Sequence, residues 1–245
     1  MNSGIYTAVS GMRAQMDALD ILSNNLANLN TPGYKEEKAF FTLLRQEMGS
    51  SDFEEINAAI DRQKVLAQSA LNPSNGSLVL TNRDLDIALT GDGFLTVETP
   101  QGVRYTRNGS LILSSKSVLT TAGGFPVLGE GGHSISLGPG KIRINDDGEV
   151  FSNDARVDRL KIVNFDNPSV LLREGGSLLS SKGGQASEKA SETKIKQGYL
   201  EQSNVNPVSS VVSMVGILRQ FEAIQKSVNL LLNDMNQKSI DRLGR

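Results

Sequence analysis

Residues 5–33 read IYTAVSGMRAQMDALDILSNNLANLNTPG, and the spacing of apolar side chains in this stretch decides the fold. Ile5, Val9, Met12, Met16, Leu19, Ser23 and Leu26 recur at alternating intervals of four and three, which places them on one stripe of a helix, as in a coiled-coil seam. The stripe stops at Asn30-Thr31-Pro32-Gly33. Pro32 disfavours helical geometry in the residue before it, and Gly33 can take the left-handed turn that closes a helix.

The other end of the chain repeats the design. Asn206-Pro207 pairs a residue able to cap orphan N–H groups with one preset for the first helical turn. Beyond it Val211, Met214, Leu218, Phe221, Gln225, Val228, Leu232 and Met235 follow a three-four rhythm, flanked by Ile217, Ile224 and Leu231 at intervals of seven. At the helical rise, the first helix would be roughly 40 Å long and the second roughly 45 to 50 Å. Met12, Met16, Met214 and Met235 supply adaptable packing surface. Periodicity alone does not separate an antiparallel pair packed on the central domain from a bundle between molecules.

Between the ends, Gly, Asn and Asp punctuate short runs of branched and aromatic residues. Leu78–Leu80, Asp86–Leu89, Phe94–Glu98, Val103–Thr106, Ser110–Leu113, Lys141–Ile144, Glu149–Ser152 and Leu160–Phe165 read as strands. Asn108-Gly109 and Asp147-Gly148 suit tight hairpins, because both tolerate positive φ. Residues 36–63 scatter Phe40, Phe41, Leu43, Leu44, Phe53, Ile56 and Ile60 among charges and read as a linker with some helix. Residues 182–194 are Gly, Ser, Glu and Lys with almost no apolar content, which reads as a surface loop. The expected class is α+β. A helix in 1–33, a linker in 34–75 with partly helical or extended structure and an irregular antiparallel β domain in 76–203 precede a helix in 204–245 that pairs with the first in a coiled-coil-like bundle.

Composition narrows the function classes. With 25 Lys and Arg against 27 Asp and Glu, and no basic cluster interleaved with aromatics, nucleic acid is not an expected partner. The absence of cysteine removes disulfides, thiolate metal sites and a cysteine nucleophile together. The opening MNSGIYTAVSGMR lacks the basic and apolar regions of a cleaved signal, and no run approaches the roughly 18 apolar residues of a membrane span.

Candidate chemical motifs do not develop. His133, the single histidine, lies in a Gly-rich turn without a second histidine to form a metal pair. Asn145-Asp146-Asp147-Gly148 lacks the alternating ligands and distal Glu of a calcium loop. Gly138-Pro139-Gly140-Lys141 is followed by Ile142, where a phosphate loop needs Ser or Thr. Ser191 and Lys194 have β-lactamase spacing but no companion elements. Asn75-Gly76-Ser77 and Asn108-Gly109-Ser110 fit a glycosylation sequon, but Asn-Gly already suits a turn. No catalytic residue, metal or cofactor is expected, and the chain reads as a non-enzyme.

Asn24–Lys35, NNLANLNTPGYK, resembles the signature of bacterial flagellar rod and hook proteins, carried by Asn24, Asn25, Ala27, Asn28, Thr31, Pro32, Gly33 and Tyr34. The likeness continues through RDLDIAL at 83–89, GDGFL at 91–95, YTRNGS at 105–110 and GYLEQSNVN at 198–206, in family order. This resemblance implies a structural subunit of the rod, the drive shaft in the basal body that carries torque to hook and filament. It implies terminal helices in the axial core, with Ile5, Val9, Met12, Met16, Leu19 and Leu26, and Val211, Met214, Leu218, Phe221, Val228, Leu232 and Met235, at the assembly interface. The implied partners are copies of the chain itself, other rod proteins and the flagellar type III export apparatus, with export to the periplasm-spanning rod without a cleaved signal. Ile5-Tyr6-Thr7-Ala8 and Arg107-Asn108-Gly109-Ser110 look more like the proximal than the distal rod member, and Phe221-Glu222-Ala223-Ile224 replaces the Tyr-Glu-Ala-Asn usual in distal proteins. The alternatives are a distal rod protein and a non-flagellar β-domain adaptor with coiled-coil arms.

Overall fold

The computed structural model describes residues 2–44, 64–165, 167–182 and 193–243. They form an α+β protein that opens on helix α1 (Asn2–Ala27) and closes on helix α2 (Pro207–Leu243). The strands between them begin with β1 (Glu37–Leu44), β2 (Lys64–Leu71), β3 (Leu78–Leu80), β4 (Ile87–Thr90), β5 (Phe94–Thr99), β6 (Gly102–Thr106), β7 (Leu111–Leu113) and β8 (Leu119–Thr121). They continue with β9 (Ile142–Ile144), β10 (Glu149–Ser152), β11 (Ala155–Arg159), β12 (Ile162–Val163), β13 (Leu171–Arg173), β14 (Leu178–Ser181), β15 (Lys194–Gln197) and β16 (Tyr199–Glu201). Two units divide the chain: residues 1–26, 37–70 and 207–245, and residues 27–36 and 71–206.

In the first unit α1 has two unlike faces. Ala14, Ala18 and Asn25 are buried along one side, where small side chains let another backbone approach closely, while Val9 and Met16 stand exposed on the other. On α2 the inward row is Ser210, Met214, Ile217, Phe221, Ile224 and Val228, with its end members buried and the four between them half-buried. Gln15 Nε2 donates to Gln220 Oε1 at 3.1 Å and links the two helices. The inward row of α2 thus keeps Met214, Phe221 and Val228 of the row that the spacing picks out, adds the flanking Ile217 and Ile224, and leaves Val211, Leu218, Gln225 and Leu232 exposed. Both rows fit a heptad, and the one that turns inward avoids Gln225. Helix α2 begins at Pro207 as expected, but α1 ends at Ala27 rather than running to Gly33. The left-handed Gly33, at φ +67, instead serves a turn in which Tyr34 N donates to Thr31 O. Strands β1 and β2 pair as a two-stranded ribbon within 34–75, the stretch expected as a linker with partly helical or extended structure; Phe53, Ile56 and Ile60 lie outside the described residues.

In the second unit a five-stranded sheet runs β12-β5-β6-β14-β13 with antiparallel neighbours, and β11-β10-β9 forms a smaller antiparallel sheet. Strand pairs β15-β4, β16-β3 and β7-β8 complete the body. Its main core gathers Ile87, Leu89, Leu95, Val97, Leu111, Leu119 and Ile195 among others, and a second cluster packs Leu71, Phe94, Phe165 and Leu179. In that second cluster Tyr105 meets Phe165 edge-on at 4.9 Å. The Asp147-Gly148 hairpin is present, joining β9 to β10 with Gly148 at φ +86. Asn108-Gly109 is no hairpin: β6 pairs with β5 and β14, and β7 pairs with β8. Gly109 instead passes close to Ile87, whose carbonyl oxygen would lie 1.8 Å from an added Cβ. The unread hairpin is Asn153-Asp154, both at positive φ between β10 and β11, the geometry of a tight two-residue turn. Residues 183–192, including Ser191, lie outside the described residues, and Lys194 opens β15.

Candidate functional site

The chain enters the second unit through residues 27–36 and leaves it through residues 201–206, and these segments are bonded to each other. Gly33 N donates to Glu201 O at 2.8 Å, and Asn204 N donates to Tyr34 O at 3.3 Å. Gly33 lies so near residues 107 and 108 that an added Cβ would fall 2.2 Å from the Arg107 carbonyl carbon, so only glycine fits. Gly76 has the same constraint, since its Cβ would fall 1.9 Å from Gln202 O.

A buried ionic cluster sits at this crossing. Lys35 Nζ lies 2.7 Å from Glu201 Oε1, and Arg107 Nη1 lies 3.4 Å from Glu201 Oε2, with all three side chains at most 2% exposed. Gly76 N donates to Glu201 Oε1 at 2.9 Å, while Lys35 also donates to Ser74 O at 2.8 Å and Arg107 to Leu89 O at 3.2 Å. The single carboxylate therefore bonds one segment from each of three distant parts of the chain. Burial pulls the Lys35 ammonium below its ordinary value, and the Glu201 charge opposes that shift only in part. Burial likewise lowers the Arg107 guanidinium, with Glu201 and Asp92 opposing.

Amides complete the crossing. Asn204 Oδ1 accepts from Glu36 N at 2.6 Å, while its Nδ2 donates to Asn72 O at 3.1 Å and Ser74 O at 2.8 Å. Tyr34 is fully buried under the Arg173 guanidinium, which lies 4.0 Å from the ring centroid.

The structure brings the signature residues into these local tasks. Asn25, in the first unit, clasps the start of β1: its Nδ2 donates to Glu37 O at 2.7 Å, and its Oδ1 accepts from Glu37 N at 3.0 Å. Thr31 Oγ1 bonds Asn28 Oδ1 at 3.0 Å, and Asn24 Nδ2 returns to Asp20 O at 3.0 Å. Ala27 is the last helical residue and Pro32 is half-buried in the turn that follows. Of the expected interface residues, Val9, Met16, Val211, Leu218 and Leu232 are exposed, at 48%, 55%, 45%, 44% and 42%. Met12, Leu19, Leu26, Met214 and Phe221 are half-buried, and Val228 is buried. The side chains of Ile5 and Met235 lie outside the described residues. Reading the sequence missed Lys35, Arg107 and Glu201. The signal was a charged residue in each of three short polar motifs, TPGYK, YTRNG and GYLEQSN, whose meeting needs the folded topology.

Among the described residues no group of three acidic, His or Cys side chains could hold a metal, and no helix is long and apolar enough to cross a membrane. His133 is exposed in its turn. The charges of the crossing bond inward, while the helices turn apolar rows outward. The crossing is thus held by buried polar bonds, and both helices carry exposed apolar side chains.

Comparison with known proteins agrees. The family described as flagella basal body rod protein matches residues 5–35, the flagellar hook protein FlgE/F/G D1 domain matches 88–152, and the flagellar basal body rod FlgEFG protein C-terminal family matches 196–242. The flagellar basal-body rod protein FlgF of Caulobacter vibrioides is 30% identical over 100% of this chain and 99% of its own length. FlgG of Buchnera aphidicola subsp. Schizaphis graminum is 31% identical, covering 94% of this chain and 95% of its own. FlgG of Bacillus subtilis is 29% identical, covering 93% of this chain and 94% of its own. The chain belongs to the flagellar basal-body rod family. It is a structural subunit of the flagellar rod, located in the basal body with other rod proteins.

Proposed function

We propose that the chain is a proximal-rod subunit whose terminal segments 1–33 and 204–245 form a coiled-coil-like bundle in the axial core of the shaft that carries torque to hook and filament. The observation that carries this reading is the pair of outward apolar rows: Val9 and Met16 on α1, and Val211 and Leu218 on α2, are all more than two-fifths exposed. A rod requires contacts that repeat without closing, so each subunit must offer surface beyond what its own fold consumes. Copies of the chain and other rod proteins cover those rows, and the flagellar type III apparatus exports the chain. Ile5-Tyr6-Thr7-Ala8 and Phe221-Glu222-Ala223-Ile224 favour the proximal position.

The test replaces Val9 and Leu218 with Asp in the full chain. Both are exposed, so the circular dichroism of the β body stays that of the wild type while swimming in soft agar is abolished. Normal swimming with the variant present in basal bodies would overturn the bundle.

A further inference from the structure

Buried charge at the crossing does not balance. Lys35 and Arg107 bring two cations to one carboxylate, that of Glu201, and all three side chains are at most 2% exposed. Asp92 also acts on both cations, but it is exposed and water screens it. A buried ion short of counter-charge is costly, so a change that removed one of the two cations would relieve the cluster. Arg107 keeps its proton, and Lys35 is the cation that can lose one. Burial holds its ammonium below the ordinary 10.5; Glu201 opposes the shift and Arg107 adds to it.

The amine also has a group to attack. Its Nζ lies 2.7 Å from Glu201 Oε1, 2.8 Å from Ser74 O and 3.4 Å from Asn75 Oδ1. Amine, carboxylate and side-chain amide are what an acyl transfer needs: a nucleophile, a proton carrier and an acyl group with a leaving nitrogen. The backbone fixes them in place. Glu201 Oε1 also accepts from Gly76 N at 2.9 Å, and a Cβ on Gly76 would fall 1.9 Å from Gln202 O, so residues 74–76 are held tightly against 201–202. Groups held at contact distance react far faster than the same groups free in solution. A surface cavity of about 340 Å³, lined in part by Ser74, Asn75 and Arg107, gives a small leaving group its way out.

We propose that Lys35 and Asn75 condense to an isopeptide bond once the chain has folded, with Glu201 as the proton carrier. Glu201 Oε1 takes a proton from Nζ, the amine turns its lone pair to Asn75 Cγ, and the Nζ–Cγ bond forms as the Cγ–Nδ2 bond breaks. Two protons pass from Nζ to Nδ2 by way of the carboxylate, the nitrogen leaves as ammonium, and Glu201 is again ionised beside Arg107. Nothing is oxidised or reduced, and no co-reactant is needed. The product exchanges a buried cation for a neutral amide and leaves Arg107 and Glu201 paired one to one. It ties residues 40 positions apart and closes a loop around strands β1 and β2, in a chain with no cysteine for a disulfide. The ionic cluster described above is the state before this bond, which forms in the folded free chain with or without rod neighbours.

The test holds the full, folded chain in mildly alkaline buffer and follows its intact mass and its proteolytic peptides by mass spectrometry. The wild type should become lighter by one ammonia and yield a branched peptide joining Lys35 to Asn75. Asn75→Ala, altered at an exposed position, should keep the full mass of its sequence. Glu201→Gln, which retains an acceptor for Gly76 N, should form the bond on the order of a hundredfold more slowly. Loss of ammonia with only linear peptides would mean ring closure of Asn75 onto Gly76 N and would overturn the proposal. A wild-type chain that keeps its full mass while its circular dichroism shows it folded would overturn it too, and an unchanged rate in Glu201→Gln would overturn the part given to the carboxylate.

Discussion

Glu201 carries the largest consequence at the scale of single residues. Its carboxylate accepts from Lys35, Arg107 and Gly76 N while buried, so removing it leaves two buried cations without their partner. Breaking a buried ion pair from one side costs about 3–5 kcal/mol, most of it the burden of uncompensated charge. Glu201→Ala should therefore lower the urea midpoint of the full chain markedly. Glu201→Gln, which keeps an acceptor for Gly76 N, should fall between that variant and the wild type. Lys35 adds a pH signature. Its value in the folded chain lies below the ordinary 10.5, so the unfolded chain holds the proton more tightly. Stability then rises as pH climbs through the window from the lowered value to 10.5. Urea unfolding at a series of alkaline pH values should show the wild type gaining on Lys35→Met across that window. A constant gap between the two would contradict the buried placement of the ammonium.

The elements show how much the sequence made legible and why the rest was not. The helical ends were readable because α1 and α2 each carry a strong three-four rhythm, and most strands because Gly, Asn and Asp bracket them. Which row of α2 turns inward was not readable. Val211, Leu218 and Leu232 form as regular a heptad as Ile217 and Ile224, and the choice depends on the surface that the helix meets. On α1 the large stripe through Val9 and Met16 drew attention, while the close-packed side uses Ala14 and Ala18, whose small size makes no hydrophobic signal. The Asn108-Gly109 misreading has the same origin. Asn-Gly suits a tight turn, but here Gly109 is needed for close approach to Ile87, a long-range fact. Two substitutions separate the faces of α1. Ala18→Leu overfills the buried side and should cost about 1–3 kcal/mol of stability. Met16→Ala should leave thermal unfolding near that of the wild type and slow swimming in soft agar. Equal stability losses from the two would show that the faces do not differ.

For the whole molecule, the crossing of residues 33–36 with 201–204 means that the β body is complete only when segments from near both ends of the chain have arrived. Lys35 and Glu201 are 166 positions apart, and contacts of that separation form late because loop closure precedes their reward. Under the proposed bundle the helices depend on partners in another way. Isolated helices gain little from propensity alone, and Val9, Met16, Val211 and Leu218 stay more than two-fifths exposed. Hydrogen exchange on the free monomer should therefore show weaker protection across α1 and α2 than in β5 and β6; helical amides protected as strongly as those of β5 would contradict the proposed helix surface completed by neighbours. The central claim is that this chain is a building block of the rod. Quantitative mass spectrometry of purified basal bodies, with rod, hook and filament fractions separated, tests it most directly. The account predicts a small, fixed copy number confined to the rod fraction, and absence of the chain from every axial fraction would contradict it.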